Sequence, residues 1–261
     1  MRIVVCIKQV PDTTELKIDP VTGTLIRKGI PSIMNFDDKA ALEEALKIKD
    51  KHGAQVIAIS MGPNQAVEVL EEALAMGADE AILISDKKYS GSDTWATSNV
   101  LSEAIKYIDF DVIFTGRQAI DGDTAQVGPQ IAEKLNIPQI TYVKDIDYNG
   151  EFFIVNREMD YYIETLKVKP PVLFTILKEA NQPRYMNIRN LVDICSNENK
   201  IKIINNDNLK LPDEIIGLNG SPTKVKKTFT PELSKKGIIL EGNLLENIET
   251  LISNLKERHL I

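Results

Sequence analysis

Residues 111–136 have the sequence DVIFTGRQAIDGDTAQVGPQIAEKLN, which predicts a strand, a loop and a helix in succession. The run 111–115 is apolar and rich in β-branched and aromatic residues, as in a strand buried on both faces of a parallel sheet, and Gly116 ends it. The helix is expected behind Thr124, whose hydroxyl suits an N-cap, because apolar residues recur there at helical spacing. The stretch therefore predicts one β–α unit of a parallel sheet.

The loop of this unit has features of a phosphate or pyrophosphate site. Amide N–H groups at the start of a helix face such a loop, and the helix dipole favours negative charge there. Pro129 has no amide proton, so we expect a loosely wound first turn, and Gly122 and Gly128 let a ligand or another backbone approach closely. Asp121 and Asp123 would repel a phosphate unless their carboxylates face hydroxyls or loop amides.

The same residues also fit an ordinary β-to-α turn, which occurs several times in any α/β domain. The segment is not a G-x-G-x-x-G loop, and it lacks the lysine that a Walker A loop requires. Spacing alone leaves both interpretations open.

Composition and charge limit the class of protein. The chain has 261 residues, 43% of them hydrophobic, enough for one substantial core. A net charge of -7 and a pI near 5.1 argue against nucleic acid or an anionic membrane as partner, because phosphates would be repelled. No run approaches the roughly 18 apolar residues of a membrane span, and the N-terminus predicts a strand rather than a signal peptide. We therefore expect a cytoplasmic protein.

Cysteine and histidine are too few and too scattered to suggest chemistry by side chains. The two cysteines, Cys6 and Cys195, are far apart in sequence and offer neither a disulfide framework nor zinc-ligand spacing. No nucleophile, metal set or acid–base pair is apparent, so catalysis without a cofactor or a partner is the least expected function.

The first half of the chain alternates four strands with four helices. Strands are expected at residues 2–7, 55–60, 81–85 and 111–115, and helices after Asp37 or Asp38, at 66–76, after Ser92 or Asp93, and after Thr124. Short connections between such elements imply a right-handed parallel sheet that is covered on both faces. A surface hairpin is expected at residues 16–26.

The pattern changes after Asn136. Four further strands, at 139–147, 151–158, 163–168 and 172–177, are expected to extend the sheet in antiparallel fashion, and a short helix is expected at 188–195. The stretch 205–237 shows no sustained period and is interpreted as an extended arm. Asn243 begins a last amphipathic helix, for which docking on a partner and folding back on the sheet both stay open.

Several short motifs occur in order along nearly the whole chain. They are VVCIKQVPD at 4–12, MN at 34–35 with ALEEAL at 41–46, SMGP at 60–63, ALAMGAD at 73–79, GRQAIDGDTAQVGP at 116–129, VNREMD at 155–160, ETLKVKPPVLFT at 164–175 and PRYMNI at 183–188. On these motifs the chain resembles the β subunit of an electron-transferring flavoprotein. The resemblance implies a three-layer, parallel-sheet nucleotide-binding α/β fold of the Rossmann-like, adenine nucleotide hydrolase-like kind, with an antiparallel extension and a C-terminal arm. It divides the chain into a nucleotide-binding domain, 1–204, and an arm with a helix, 205–261, that packs on an α subunit.

The resemblance also implies where a nucleotide would lie. It would cross the carboxyl edge of the sheet, and its contacts would be Cys6, Asn35, Asp38, Met61, Thr94, Ala119, Asp121, Gly122, Asp123, Thr124, Gln126 and Val127. Backbone amides of Thr124, Gln126 and Val127 would hold the pyrophosphate. Asp121 and Asp123 would order the loop and meet ribose hydroxyls.

Two cofactors fit this family resemblance. In many such subunits the ligand is a structural AMP, whereas the form DGDTAQVGP is similar to the branch in which FAD occupies the site and performs electron bifurcation. In that branch NADH is the electron donor, ferredoxin receives one electron, and the other passes through the FAD of the α subunit to an acyl-CoA dehydrogenase or a related flavoprotein. A plain electron carrier with AMP is the alternative, and a regulatory nucleotide-binding module without a redox role is another.

The motif PRYMNI resembles the loop by which the family grips its dehydrogenase. Arg184, Tyr185 and Ile188 are its expected partner contacts, with Ile188 as the apolar anchor. The alternative is that Ile188 merely covers the sheet edge.

Overall fold

The computed structural model describes residues 1–12, 31–196, 200–226 and 237–261. The hairpin predicted at 16–26 lies outside these described residues, and so do residues 227–236 of the stretch predicted as an arm. Contacts within the chain define two units, Met1–Lys226 and Lys227–Ile261, which are taken separately below.

The elements of the first unit alternate as expected from the sequence. In chain order they are β1 (Arg2–Cys6), β2 (Gln9–Pro11), β3 (Ser32–Met34), α1 (Phe36–His52), β4 (Gln55–Met61), α2 (Val67–Met76), β5 (Glu80–Ile84), α3 (Thr94–Lys106), β6 (Val112–Gly116), α4 (Val127–Leu135), β7 (Gln139–Tyr148), β8 (Phe153–Glu158), β9 (Ile163–Val168), β10 (Val172–Ile176), α5 (Ile188–Ser196), β11 (Ile201–Ile204) and α6 (Asn206–Leu209). The four strands and three of the four helices predicted for the first half agree to within a residue or two, and the fourth helix starts later.

Nine strands form one sheet in the order β11-β5-β4-β1-β6-β10-β7-β8-β9. Pairings are parallel from β11 through to β7 and antiparallel among β7, β8 and β9. The prediction that all four later strands add in antiparallel fashion is therefore wrong for β10, which lies parallel between β6 and β7, and for β7, which joins the sheet parallel to β10. Its sequence VLFTI is buried at every position, as is typical of a central parallel strand.

Helices cover both faces of the sheet, which confirms the layered α/β fold. Residues of β1 alternate between two cores: Ile3 and Val5 pack with α1 and α2, whereas Val4 and Cys6 pack with α3 and α4. This alternation follows from the two-residue period of a strand.

Two predicted helix starts need correction. Asn35, and neither Asp37 nor Asp38, is the N-cap of α1. Thr124 does not cap α4, which begins at Val127 behind Gln126. The reason lies in the loop: Asp123 and Ala125 have φ values of 50° and 52°, so the chain makes a left-handed turn where a helix would need right-handed geometry.

The segment that follows β11 belongs to the first unit rather than to the arm expected from residue 205. Tyr89 Oη donates to Asn206 Oδ1 (3.3 Å), and Asn99 Nδ2 donates to the carbonyl of Ile215 (2.9 Å). The boundary between compact units therefore lies after Lys226.

The second unit contains α7 (Leu244–Glu257), as predicted. Asn243 caps it by accepting from the amide of Glu246 (3.0 Å), and none of its residues is buried. Whether its apolar stripe docks on a partner or folds back on the sheet stays a prediction. None of the helices in the described part of the chain combines the length and apolarity needed to cross a membrane.

Candidate functional site

The carboxyl ends of β4, β1 and β6 lie side by side at one edge of the sheet. The chain leaves β1 to build β4 and β5 on one side and returns to place β6 on the other. Such a reversal of strand order is where open α/β sheets bind ligands. The structure therefore brings predicted residues of three segments, Cys6, Met61 and the loop behind Gly116, to one crevice.

Asp38 closes the bottom of this crevice. Its Oδ2 accepts from the amide of Lys8 (2.9 Å) and its Oδ1 from the amide of Gly116 (3.0 Å), so one carboxylate bridges the ends of β1 and β6. Burial raises the pKa of Asp38 to about 7, although these hydrogen bonds favour the ionised form. A Cβ on Gly116 would lie 2.3 Å from Asp38 Oδ1, so this close approach requires glycine.

Asp37 and Asp38 also decide which helix could receive a phosphate. Both are buried in the first turn of α1, and Asp37 Oδ2 accepts from the amide of Gln118 (3.3 Å). Two carboxylates at this helix start exclude an anion there, because charges of the same sign would be buried together. The start of α4, which has no side-chain cap, is a helix terminus at this edge that suits a phosphate.

Asn35 fastens the loop that leads to α4. Its side chain is fully buried, its Nδ2 donates to the carbonyl of Gln118 (2.8 Å), and its Oδ1 accepts from the amide of Ile120 (3.2 Å). The amide of Asn35 in turn donates to the carbonyl of Lys8 (3.0 Å). The predicted contact residue Asn35 therefore holds the loop through its backbone.

The two loop carboxylates face donors within the protein. Lys8 Nζ lies 2.6 and 2.9 Å from the two oxygens of Asp121, and Gln118 Nε2 forms a hydrogen bond with Asp123 Oδ1. The carbonyl of Ala119 accepts from the amide of Asp123 (2.9 Å), which closes the turn. The repulsion that the sequence suggested is therefore reduced, since each carboxylate has a partner.

The amide groups that follow are available to a ligand. In the described residues no acceptor receives the N–H of Thr124, Ala125 or Gln126, and Thr124 and Gln126 are exposed. Consecutive amides in a turn with alternating left-handed residues form an anion-binding concavity. Gly128 brings α4 close to the sheet, since a Cβ there would lie 2.7 Å from Thr115 Oγ1.

Thr94 connects α3 to the same loop. Its Oγ1 donates to Gln126 Oε1 (2.8 Å), so the start of α3 and the start of α4 meet at the site. Trp95, the only tryptophan of the chain, is 44% exposed beside it and carries Lys134 Nζ 3.3 Å from its ring centroid. The ring of Trp95 therefore lies against the last turn of α4.

Cys6 is not a reactive thiol. It is buried in the core, and burial together with the nearby Asp38 raises its pKa, so the thiol stays neutral. No group of three or more His, Cys, Asp or Glu in the described ranges is arranged to hold a metal ion.

Sequence reasoning missed several residues of the site. Lys8, Arg117 and Gln118 were not singled out, yet Lys8 and Gln118 pair with the loop carboxylates and Arg117 Nε lies 3.5 Å from Asp37 Oδ2. Their common signal is position, because each follows the end of a central strand, and such ends gather at one edge.

In the segment 183–188, one of the predicted partner contacts bonds to the protein itself and two are exposed to solvent. Arg184 is fixed by Glu43 and Asp50, with Nε 2.9 Å from Glu43 Oε2 and Nη2 2.8 Å from Asp50 Oδ2. Tyr185 is 96% and Ile188 78% exposed. Of the three predicted partner contacts, Arg184 anchors the loop, whereas Tyr185 and Ile188 face outward.

Comparison with known proteins places this arrangement in a family. Residues 22–199 match the "Electron transfer flavoprotein domain". The chain is 52% identical over 261 residues to "Electron transfer flavoprotein subunit beta" of Thermoanaerobacterium thermosaccharolyticum and 51% identical over 261 residues to the protein of that description from Clostridium acetobutylicum, with both chains covered completely in each case. It is 50% identical over 264 residues, again with full coverage, to "Caffeyl-CoA reductase-Etf complex subunit CarD" of Acetobacterium woodii. The chain therefore belongs to the electron transfer flavoprotein β-subunit family.

Proposed function

We propose that this chain is the β subunit of an electron-bifurcating flavoprotein and that its carboxyl-edge site binds FAD. The observation that carries the proposal is the row of amides at residues 124–126, which follows two carboxylates that already have donors. Bound there, FAD would take a hydride from NADH and divide its two electrons between ferredoxin and, through the FAD of an α subunit, a dehydrogenase-type flavoprotein.

The residues of the site fit the diphosphate of such a cofactor. The amides of Thr124 and Gln126, together with Val127 at the start of α4, would hold the negative charge, with the helix dipole adding to the attraction. Asp123 and Gly122 are exposed, so the loop can be reached from solvent. Thr94 borders the loop on the side of α3 through its hydrogen bond to Gln126.

The chain's own residues would position the cofactor rather than react. The side chains of Asp38 and Asn35 form hydrogen bonds with backbone groups of the protein, and Cys6 is a buried neutral thiol. A protein of this kind supplies binding, orientation and electrostatics, while the cofactor carries the redox chemistry.

The names of two relatives support a role in electron transfer to an acyl-CoA-linked flavoprotein. One is named as a subunit of a caffeyl-CoA reductase–Etf complex, and another, 44% identical over 270 residues, is "Acryloyl-CoA reductase electron transfer subunit gamma" of Anaerotignum propionicum. By extension, this chain would serve an acyl-CoA dehydrogenase-type flavoprotein in a similar complex.

Two surfaces suit the partners of such a complex. Tyr185 and Ile188 would contact the dehydrogenase, since large exposed apolar groups beside a fixed arginine are typical of interface anchors. The amphipathic helix α7 in unit 227–261 would pack on the α subunit, because its apolar stripe needs a cover.

The test is the nucleotide content of the protein produced together with its α subunit. After denaturation and chromatography, two FAD per heterodimer support the proposal, and one FAD with one AMP refute it in favour of a plain electron carrier. If the FAD of the α subunit were the only nucleotide found, the proposal of a nucleotide site in this chain would itself be refuted.

A double variant tests the location of the site. Asp123→Ala with Thr124→Val should empty it and lower the melting temperature by only about 2–4 °C, because both side chains are exposed and the main structural loss is the hydrogen bond between Asp123 and Gln118. The matched control is Asp145→Ala with Thr165→Val on the β7–β9 sheet extension, where the same atoms are removed from exposed positions. Equal cofactor content in both variants would reject the location.

A further inference from the structure

The end of the first unit is fastened tightly to the loop that precedes α3. Ile216 is buried, Asn99 Nδ2 donates to the carbonyl of Ile215 (2.9 Å), and the amide of Leu218 donates to the carbonyl of Ser90 (3.1 Å). Gly217 has a φ of 60°, and a Cβ there would lie 2.0 Å from the carbonyl oxygen of Lys88. Only glycine fits this geometry. The segment 215–223, here called the anchor, is therefore held in one defined position against the loop before α3.

Asp93 joins the anchor to α3. Its Oδ1 accepts from the amide of Ala96 (3.0 Å) and so caps the helix, while its Oδ2 accepts from the amide (2.9 Å) and the hydroxyl (2.8 Å) of Thr223. The amide of Asp93 donates to Ser221 Oγ (2.8 Å). Burial opposes ionisation, but the hydrogen bonds from Ala96 and Thr223 keep the pKa of Asp93 below its ordinary value overall.

The residue after Asp93 is part of the nucleotide site. Thr94 Oγ1 donates to Gln126 Oε1 (2.8 Å), and Gln126 is the N-cap residue of α4. Hydrogen bonds therefore join Thr223 to Asp93 and Thr94 to Gln126, and the peptide bond between Asp93 and Thr94 connects the two. Rotating or shifting the first turn of α3 would change both ends of this path together.

We propose that Asp93 is a positioning residue that couples nucleotide binding at residues 119–127 to the seating of the anchor. This inference rests on the proposed nucleotide site and adds a regulatory connection to it. A bound nucleotide fixes Gln126, which through Thr94 fixes the start of α3, so the anchor is held more firmly. Because coupling between two sites is reciprocal, a loosened anchor weakens nucleotide binding by the same factor.

The coupling matters because of where the anchor lies in the chain. Three residues after Thr223 the first unit ends, and the chain continues into unit 227–261. The state of the nucleotide site would thus reach the last residues of the first unit. This is a relation between two parts of one chain that requires no change in the core of the sheet.

The main experiment compares Thr223→Val with Thr223→Ser in the heterodimer produced with its α subunit. Valine removes the hydroxyl that bonds Asp93 Oδ2, and serine restores it. After removal of bound nucleotide, calorimetric titration with AMP and with FAD should show about 3- to 10-fold weaker binding for the valine variant, because part of the stabilisation from one hydrogen bond to a charged acceptor is transmitted to the nucleotide site. The serine variant should bind as the unmodified protein does, and Thr165→Val is the matched control.

Hydrogen exchange distinguishes coupling from a purely structural role of Asp93, because only coupling makes exchange of the anchor amides depend on nucleotide. Nucleotide should slow exchange of the anchor amides in the unmodified protein and in Thr223→Ser, and should slow it less in Thr223→Val. Ser221→Ala, which removes the other hydroxyl at Asp93, is an independent variant with the same expected direction, and it replaces Thr223→Val if that variant does not fold.

Two outcomes overturn the inference. Equal nucleotide affinity of Thr223→Val and the unmodified protein would do so, and so would anchor exchange that does not respond to nucleotide. Failure of the proposed nucleotide site gives a different result, since then the unmodified protein itself would bind neither AMP nor FAD. Binding of AMP but not of FAD would refute the bifurcating function alone, and the coupling would then be read from AMP.

Discussion

Gly128→Ala is the substitution whose outcome depends most directly on the site geometry. Gly128 is buried in the first turn of α4, and a Cβ there would lie 2.7 Å from Thr115 Oγ1 and 2.9 Å from Thr175 Cγ2. Ordinary contacts begin at about 3.4–3.5 Å, so the helix start must move off the sheet by on the order of 0.5–1 Å. The substitution therefore displaces the amides that the proposed site uses.

Two energies of opposite sign act on this variant. Overpacking typically costs about 1–3 kcal/mol, whereas alanine is favoured over glycine within a helix by about 1 kcal/mol. The net expectation is a loss of about 1 kcal/mol in the free energy of unfolding, or a fall of about 2–4 °C in melting temperature for a chain of this size. Cofactor affinity should fall about tenfold, because charge-assisted hydrogen bonds at the helix start lengthen.

The assay combines thermal unfolding with titration by nucleotide. Gly237→Ala is the control, because nothing lies within 4 Å of a Cβ at that position. Thr115→Ala combined with Gly128→Ala should cost less than the two single changes added together, since the first removes the atom that the new methyl meets. A higher melting temperature for Gly128→Ala would refute the reasoning, because helix propensity would then outweigh the contact.

Three further outcomes are expected. Because Asp38 has a pKa raised from 3.8 to about 7, its ionisation should lower the free energy of unfolding as pH rises from 4 to 7, by at most about 4 kcal/mol, and Asp38→Asn should flatten that slope; equal slopes in urea titrations would contradict this. Lys8→Gln should weaken nucleotide binding about 3- to 10-fold at low salt with under about 1 kcal/mol lost in stability, and adding Asp121→Asn should restore binding; no recovery would show that the ion pair does not offset Asp121. Ile188→Ala should slow electron transfer to the dehydrogenase while leaving reduction by NADH unchanged in stopped-flow experiments, and a parallel fall of both rates would assign the loop another role.

The parallel sheet was predictable because its central strands are continuous apolar runs. Residues 2–7, 55–60, 81–85 and 111–115 are apolar runs that each begin or end with a polar residue, so their number and type follow from pattern alone. The place of β10 was not predicted, although VLFTI has the same composition. Its position between β6 and β7 depends on pairing over a long sequence separation, which local pattern does not contain.

The start of α4 shows a different limit of sequence reasoning. Thr124 has the right side chain for an N-cap, and an N-cap rule selects it. The structure instead turns left-handed at Asp123 and Ala125, neither of which is glycine, and this costs backbone energy that only surrounding contacts can offset. Those contacts are made by Gln118 and by the carbonyl of Ala119, so the correct helix start depends on residues before the loop.

The residues that shape the site divide by what they bond. Asn35 and Asp38 are buried and direct their side chains at backbone amides and carbonyls of the protein, so they hold the loop in place. Thr124 and Gln126 are exposed and lie in the loop that the proposed site uses. Changes in the buried set should therefore alter the affinities for AMP and FAD by the same factor, because both ligands share the phosphate that the loop amides hold. Discrimination between the two cofactors must come from the exposed set or from the α subunit, since only these could meet the flavin portion that AMP lacks.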